Sequence, residues 1–164
     1  MSLYAESVGV DGILVITPYY NKTNAEGLLM HFKAINDAVK TPIILYNVPS
    51  RTNMNITPET LLKLTELNNV VAIKEASGDM SQVAKMKALC GDKIDIYSGN
   101  DDQIIPILSL GGIGVISVAA NIIPKIVHDM CDLYLSGDCF KATKLQLDYL
   151  ELMNNLFIEL TYSG

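Results

Sequence analysis

The fold follows from a short apolar run, Val70-Val71-Ala72-Ile73-Lys74, and from four similar runs elsewhere in the chain. Those four cover residues 12–17, 42–46, 94–98 and 113–118. Runs rich in Ile and Val are typical of parallel strands that helices cover on both faces. Successive runs start 30, 28, 24 and 19 residues apart, which leaves room for one crossover helix each time. The sequence therefore predicts an α/β fold with parallel strands.

Helix signals occupy the segments between these runs. Thr57-Pro58-Glu59 supplies an N-cap, a first-turn proline and a first-turn acid, and Asp79 can cap a helix that Gly91 ends. The predicted helices include residues 4–9, 24–39, 79–89, 124–135 and 139–157. No linker or change of composition divides the chain, so we expect a single domain over residues 1–164, built from five βα units and an extra helix.

The composition indicates a globular protein that binds neither nucleic acid nor membranes. Of the 164 residues, 49% are hydrophobic and 18% are charged, which is enough apolar material for a core. The 12 basic residues are scattered and 18 acidic residues outnumber them, giving a net charge of -6. We therefore expect no basic surface for nucleic acid or anionic membranes. Neither a membrane span nor a signal peptide is evident, so we expect a cytoplasmic protein.

The sequence predicts no metal, disulfide or cofactor site. Three cysteines without C-x-x-C spacing or a nearby pair of histidines disfavour zinc and disulfide frameworks: Cys90, Cys131 and Cys139. Glycines are frequent around the last two runs, but none forms a dinucleotide-binding or P-loop motif. Small residues there either leave room for a substrate or allow tight turns.

Polar residues follow each apolar run, at the carboxyl ends where parallel α/β folds bind ligands. Lys74 ends the third run after four apolar residues that hold its backbone inside the sheet. Partial desolvation favours the neutral amine and lowers the lysine pKa, which produces a nucleophile able to form an imine with a ketone. A lysine in this position can alternatively extend its ammonium to water.

Tyr46 ends the neighbouring run, so both residues are expected at the same edge of the sheet. A phenol near a carbinolamine can shuttle the protons that imine formation requires. Arg51, five residues further, offers a planar guanidinium suited to a carboxylate. Each has a simpler alternative, since Tyr46 can be an amphipathic core residue and Arg51 can be a solvated loop residue.

Three stretches together resemble the dihydrodipicolinate synthase family. They are Tyr46-Asn47-Val48-Pro49-Ser50-Arg51-Thr52, Ile73-Lys74-Glu75-Ala76-Ser77-Gly78 and Ser98-Gly99-Asn100-Asp101. Residues 15–21 and 112–118 support the resemblance, which extends from Glu6 to about Glu159. It implies a TIM (β/α)8 barrel in which the five runs correspond to strands four to eight, followed by C-terminal helices. We therefore expect an incomplete barrel.

The resemblance implies a class I aldolase-type lyase without a cofactor. Lys74 would form an imine with pyruvate, and the derived enamine would attack the aldehyde of L-aspartate 4-semialdehyde. The product, 4-hydroxy-tetrahydrodipicolinate, belongs to the diaminopimelate route to lysine. In this comparison Tyr46 corresponds to the proton-shuttling tyrosine and Arg51 to the arginine that binds the semialdehyde carboxylate.

The resemblance also implies an assembly and further contacts. Tyr20 matches a catalytic tyrosine that reaches into the neighbouring subunit's site, so we expect a homo-oligomer, a dimer of dimers in the family. Tyr19 corresponds to a dimer contact, and Gly99 and Ile116 correspond to substrate-binding positions.

Two departures from the family pattern limit the expected activity. The chain has no Gly-Thr-Thr-Gly-Glu motif, whose second threonine relays protons between Tyr46 and Tyr20 in the family, and it ends in Leu160-Thr161-Tyr162-Ser163-Gly164. We therefore predict that this chain alone is inactive or nearly so. Two alternatives remain: N-acetylneuraminate lyase or a keto-sugar-acid aldolase of the same superfamily, and a non-catalytic remnant that associates with another chain.

Overall fold

The computed structural model describes residues 1–158 and divides the chain into two compact units. The first unit is Met1–Ile96, and the second starts at Tyr97. Residues 160–164, where the sequence departs from the family pattern, lie outside the described residues. The prediction of a single domain over residues 1–164 stays a prediction.

Three parallel strands form the centre of the first unit. They are β1 (Ile13–Ile16), β2 (Ile43–Asn47) and β3 (Val70–Glu75), with β2 in the middle. Buried and half-buried residues alternate along β2, which means that one face of the strand is covered more completely than the other. These strands lie within or next to the first three apolar runs of the sequence, so the prediction of parallel strands there is confirmed.

Five helices of the described chain belong to the first unit. They are α1 (Ser2–Ser7), α2 (Ala25–Ala38), α3 (Pro49–Thr52), α4 (Pro58–Leu64) and α5 (Met80–Cys90). The predicted caps are confirmed, because Thr57 accepts a hydrogen bond from the Thr60 amide and Asp79 accepts one from the Gln82 amide. Gly91 follows α5 with a φ of 57°.

The core of the first unit combines residues of the strands and helices. Helix α4 packs against both α2 and α5. Large side chains that are fully buried in this unit include Leu28, Phe32, Ile43, Leu45, Leu61, Ile73 and Met86. Their removal from water provides the main stabilisation of the strand ends that carry the polar residues.

In the second unit, β4 (Asp95–Ser98), which begins in the first unit, pairs in parallel with β5 (Gly114–Val115). Short 3-10 turns cover Asp101–Gln103 and Ala119–Asn121. The helices are α6 (Ile104–Ser109), α7 (Pro124–Leu135), α8 (Cys139–Asp148) and α9 (Leu150–Asn155). They enclose a second core, whose buried residues include Ile104, Leu108, Val127, Met130, Ala142 and Met153.

Two elements of the second unit differ from the predicted pattern. β5 is shorter than the run 113–118, because the Asp101 carboxylate accepts hydrogen bonds from the amides of Val118 and Ala119 and draws them into a turn. The predicted helix over 139–157 is divided at Tyr149, where φ is -107° and ψ is 5°.

Candidate active site

The carboxyl ends of β2 and β3 bring Lys74 and Tyr46 together. They are register partners on neighbouring parallel strands, so their side chains point to the same face of the sheet. The Nζ atom of Lys74 lies over the Tyr46 ring, 4.4 Å from its centroid. Only 9% of Lys74 is exposed. The predicted pairing of these two residues at one edge is confirmed.

The apolar residues around this pair explain its position. Ile16 of β1 is the register partner of Tyr46, so the three strands form one row of Ile16, Tyr46 and Lys74. Ala72 and Ile73 are both buried and hold the end of β3 in the sheet. The electron-rich face of the Tyr46 ring attracts a cation, and this contact helps to fix the place of the Lys74 side chain.

Burial changes the acidity of Tyr46. Desolvation raises the pKa of its phenol above the ordinary value, and the positive charge of Arg51 opposes this shift. The phenol therefore stays protonated at neutral pH and can donate its proton to a neighbouring oxygen or nitrogen.

Arg51 lies in α3, directly after β2, and its side chain is exposed. Its positive charge favours the ionised form of the Tyr46 phenol at the end of β2, against the larger effect of burial. An exposed guanidinium at this position can bind a carboxylate that enters from solvent, because its geometry suits two parallel hydrogen bonds.

Tyr20 and Tyr19 lie in the loop between β1 and α2 and are strongly exposed, at 88% and 70%. Within the first unit, almost none of the Tyr20 side chain is packed against other residues. The structure thus brings Tyr46 and Lys74 together, whereas the catalytic role predicted for Tyr20 stays a prediction.

Gly99 and Ile116 are brought together within the second unit. Ser98 and Val115 are register partners of β4 and β5, and the Ile116 amide donates a hydrogen bond of 2.9 Å to the Ser98 carbonyl. Gly99 and Ile116 therefore follow paired strand ends. Their predicted contact with substrate stays a prediction.

Asn47 and Glu75 directly follow Tyr46 and Lys74 and had no predicted role. They are register partners, and the Asn47 amide donates a hydrogen bond of 2.9 Å to the Glu75 carboxyl. Both are buried. Strand alternation could have predicted this second polar pair. When two residues are partners on neighbouring strands, the next residue of each strand is also a partner of the other, and both point to the opposite face of the sheet.

Residues 1–158 contain neither a candidate metal site nor a candidate membrane span. These residues include no group of three or more His, Cys, Asp or Glu side chains that could hold a metal ion. No helix among them has the length and apolar character needed to cross a membrane.

Parallel strands that carry a lysine and a tyrosine at their carboxyl ends define an α/β protein with a candidate lysine-centred site. The model of the dihydrodipicolinate synthetase family matches residues 1–164, and the chain belongs to this family. It is 70% identical over 159 residues to 4-hydroxy-tetrahydrodipicolinate synthase of Clostridium novyi, covering 97% of this chain and 54% of that protein.

Solved structures of this family show the same fold. Dihydrodipicolinate synthase of Aquifex aeolicus has a TM-score of 0.94 at 39% identity, covering 98% of this chain and 55% of that one. The chloride-inhibited enzyme of Acinetobacter baumannii, complexed with pyruvate, has a TM-score of 0.92 at 40% identity, covering 96% and 54%. The chain spans about half the length of these relatives. The predicted fold class, an incomplete barrel of the TIM type, is confirmed.

Proposed function

We propose that Lys74 is the imine-forming nucleophile of a lyase that joins pyruvate to L-aspartate 4-semialdehyde and yields 4-hydroxy-tetrahydrodipicolinate. The observation that carries this proposal is the buried Lys74 Nζ placed 4.4 Å from the Tyr46 ring centroid at the carboxyl ends of two parallel strands. The relatives, which are 4-hydroxy-tetrahydrodipicolinate synthases, support the substrate assignment over the sugar-acid lyase alternative.

The proposed chemistry begins at the neutral amine. The lone pair of Lys74 Nζ attacks the keto carbon of pyruvate, and loss of water from the carbinolamine gives the imine. Loss of a proton from the methyl carbon gives an enamine, whose carbon forms the new bond to the aldehyde carbon of the semialdehyde. The aldehyde oxygen takes up a proton, and the semialdehyde amine then displaces Lys74 from the imine carbon during cyclisation.

Tyr46 is the proposed proton carrier of these steps. Its phenol is protonated at neutral pH because burial raises its pKa. It can give a proton to the leaving hydroxyl of the carbinolamine and later recover one. The positive charge of Arg51 opposes this rise.

The remaining roles come from the family pattern. Arg51 binds the carboxylate of the semialdehyde, Gly99 and Ile116 contact substrate, and Tyr20 completes the site of a neighbouring subunit. The exposure of Arg51 and the strong exposure of Tyr20 support roles that need contact with a molecule from outside the first unit. A homo-oligomer, a dimer of dimers in the cytoplasm, is part of this proposal.

Imine trapping tests the nucleophile. The 164-residue chain is incubated with pyruvate and sodium borohydride, and its intact mass and peptide map are measured. We expect one reduced pyruvyl adduct located on Lys74. The matched control is Lys74→Arg, which keeps a long basic side chain at this position but has no amine that can form the imine. An unmodified native chain, or an equal adduct on the control, would contradict the proposed function.

Turnover and assembly are measured separately. We expect imine trapping without turnover comparable to that of a full-length relative, because the family's threonine relay is not in this sequence. Consumption of both substrates reports turnover, whereas cleavage of a sugar acid without semialdehyde condensation would favour the sugar-acid lyase. Light scattering tests the non-catalytic alternative, which requires an association and is contradicted by a folded monomer without a partner.

A further inference from the structure

A polar pair lies directly behind the proposed catalytic pair. Asn47 follows Tyr46 and Glu75 follows Lys74, so alternation directs the second pair to the opposite face of the sheet. Asn47 is 0% exposed and Glu75 is 1% exposed. Their side chains are joined by a hydrogen bond of 2.9 Å from Asn47 Nδ2 to Glu75 Oε2.

Glu75 receives further hydrogen bonds from its surroundings. The Ser77 amide donates to Glu75 Oε1 over 2.6 Å. Burial raises the pKa of the Glu75 carboxyl, while hydrogen bonds from Ser77, Asn47 and Gln82 act in the opposite direction. A buried carboxyl with several donors is held in one orientation, because rotating away would leave it without hydrogen bonds in a dry environment.

The pair is connected to two other segments of the first unit. Asn47 donates to Asn55 over 2.9 Å, and its side-chain oxygen accepts from the Ile56 amide over 2.9 Å. Asn55 and Gln82 exchange two hydrogen bonds of 2.7 and 3.1 Å. The segment before α4 and the first turn of α5 therefore both hold the ends of β2 and β3.

The pairing of β2 with β3 is irregular at the amino ends of the two strands. Ile43 pairs with Val70 but Ile44 pairs with Ala72, so the register shifts at the start of β2. A one-residue change of register in a strand would turn its side chains to the opposite face. The side-chain hydrogen bond between Asn47 and Glu75 opposes such a change at the carboxyl ends, next to Lys74 and Tyr46.

We propose that Asn47 and Glu75 are positioning residues that hold Lys74 Nζ at the Tyr46 ring and thereby set the reactivity of this lysine. The inference rests on the proposed function for its catalytic consequence. If the Asn47–Glu75 hydrogen bond is weakened, we expect the reactivity of Lys74 to change while the first unit is still folded. Small displacements of catalytic groups reduce rates strongly, by about 100-fold for 1 Å.

The test compares Glu75→Gln with a control at the other end of β3. Glu75→Gln keeps the size of the side chain but directs an amide toward groups that donate hydrogen bonds. The control is Asn69→Ala, because Asn69 Nδ2 donates to the carbonyls of Asn36 and Val39 over 3.0 and 2.7 Å, remote from Lys74 along the strand. Both variants lose buried or half-buried polar contacts, and their melting temperatures are measured first.

Two readouts follow at a temperature where all proteins are folded. Acetic anhydride labelling with peptide mass spectrometry gives the reactivity of Lys74 relative to that of Lys85, an exposed lysine of α5. We call this quotient the labelling ratio. Borohydride trapping with varied pyruvate gives the maximum trapping rate and the half-saturating concentration. The labelling ratio does not need pyruvate, so it tests the positioning role even if the native chain traps nothing and the proposed function fails.

For Glu75→Gln we expect a maximum trapping rate reduced about tenfold, and a labelling ratio changed about threefold or more. The half-saturating pyruvate concentration should change by less than about threefold, because the binding groups are untouched. Asn69→Ala should alter both readouts by less than about twofold despite its lower melting temperature. Equal effects of the two variants, or a native labelling ratio in Glu75→Gln, would overturn the inference.

A milder variant covers the case in which Glu75→Gln does not fold. Asn55 is exposed, and Asn55→Ala removes the side-chain support of Asn47 and Gln82 without cutting into the core. We expect its labelling ratio for Lys74 to change about twofold or more in the same direction as Glu75→Gln when both fold. A native ratio in folded Asn55→Ala, with Glu75→Gln unfolded, would also overturn the inference.

Discussion

Lys74 and Tyr46 occupy partnered positions on adjacent parallel strands, and the lysine Nζ lies 4.4 Å from the centroid of the tyrosine ring. The tyrosine therefore offers two separable groups to the lysine. Its ring face attracts the ammonium form, whereas its hydroxyl can carry protons to and from the reacting atoms.

The variant Tyr46→Phe separates these two contributions. It keeps the ring beside Lys74 but removes the hydroxyl, so we expect the rate of imine trapping to fall about 100-fold while the melting temperature changes by only a few degrees. Tyr46→Leu, which removes the ring as well, serves as the comparison and should also alter the labelling of Lys74. A native trapping rate in Tyr46→Phe would show that the phenol carries no proton in this step.

The acidity of Tyr46 gives a second prediction. Burial raises the pKa of this phenol, so the folded state holds its proton to higher pH than the unfolded chain does. The contribution of this pKa shift to the free energy of unfolding is fully present below the ordinary tyrosine pKa of about 10. It is lost as pH rises through the pKa of Tyr46 in the folded state. The measurement is an ultraviolet titration of the native chain minus that of Tyr46→Phe, which isolates this one tyrosine.

Arg51 provides the control for that titration. Its cation lowers the pKa of Tyr46, so we expect Arg51→Met to move the phenol titration to still higher pH. A shift to lower pH, or no change outside experimental error at low salt, would show that the guanidinium does not act on Tyr46.

The strands and the lysine–tyrosine pair could be predicted from the sequence because local patterns determine them. Runs of apolar residues define parallel strands, and strand ends place Lys74 and Tyr46 at one edge. The pair Asn47 and Glu75 needed a further step, because neither residue type indicates by itself that it is buried. The shortness of β5 could not be predicted, since it depends on hydrogen bonds from Val118 and Ala119 to a carboxylate 17 or more residues away.

Glu6 gives a prediction for the stability of the first unit. Its carboxylate accepts hydrogen bonds from the amides of Lys40 and Thr41 and from the Thr41 hydroxyl, linking α1 to the segment before β2. These bonds lower the pKa of Glu6, so its stabilising effect is present above the unfolded carboxyl pKa of about 4.3 and is lost as pH falls through the folded pKa.

The variant Glu6→Gln should therefore melt a few degrees below the native chain at pH 7, with a smaller difference at pH 3. Thermal melts at both values check the expectation. Glu66→Gln is the control, because Glu66 contacts only the exposed ammonium of Lys93 among the ion pairs of the described residues, at 3.2 Å. A constant difference between Glu6→Gln and the native chain at both pH values would contradict the role of the charge.

We expect Asp101 to stabilise the turn at Val118 and Ala119, which follows β5. It is 2% exposed, and its Oδ2 atom accepts hydrogen bonds of 3.1 and 2.9 Å from the amides of Val118 and Ala119. Asp101→Ala leaves both amides without this partner, so we expect the free energy of unfolding to fall by about 2–4 kcal/mol. The exposed neighbour Asp102 supplies the control, since Asp102→Ala should cost less than about 0.5 kcal/mol. Chemical denaturation measures both values, and hydrogen exchange should accelerate at Val118 and Ala119 in Asp101→Ala alone. Equal stability of the two variants, with native exchange at both amides, would show that the carboxylate does not hold this turn.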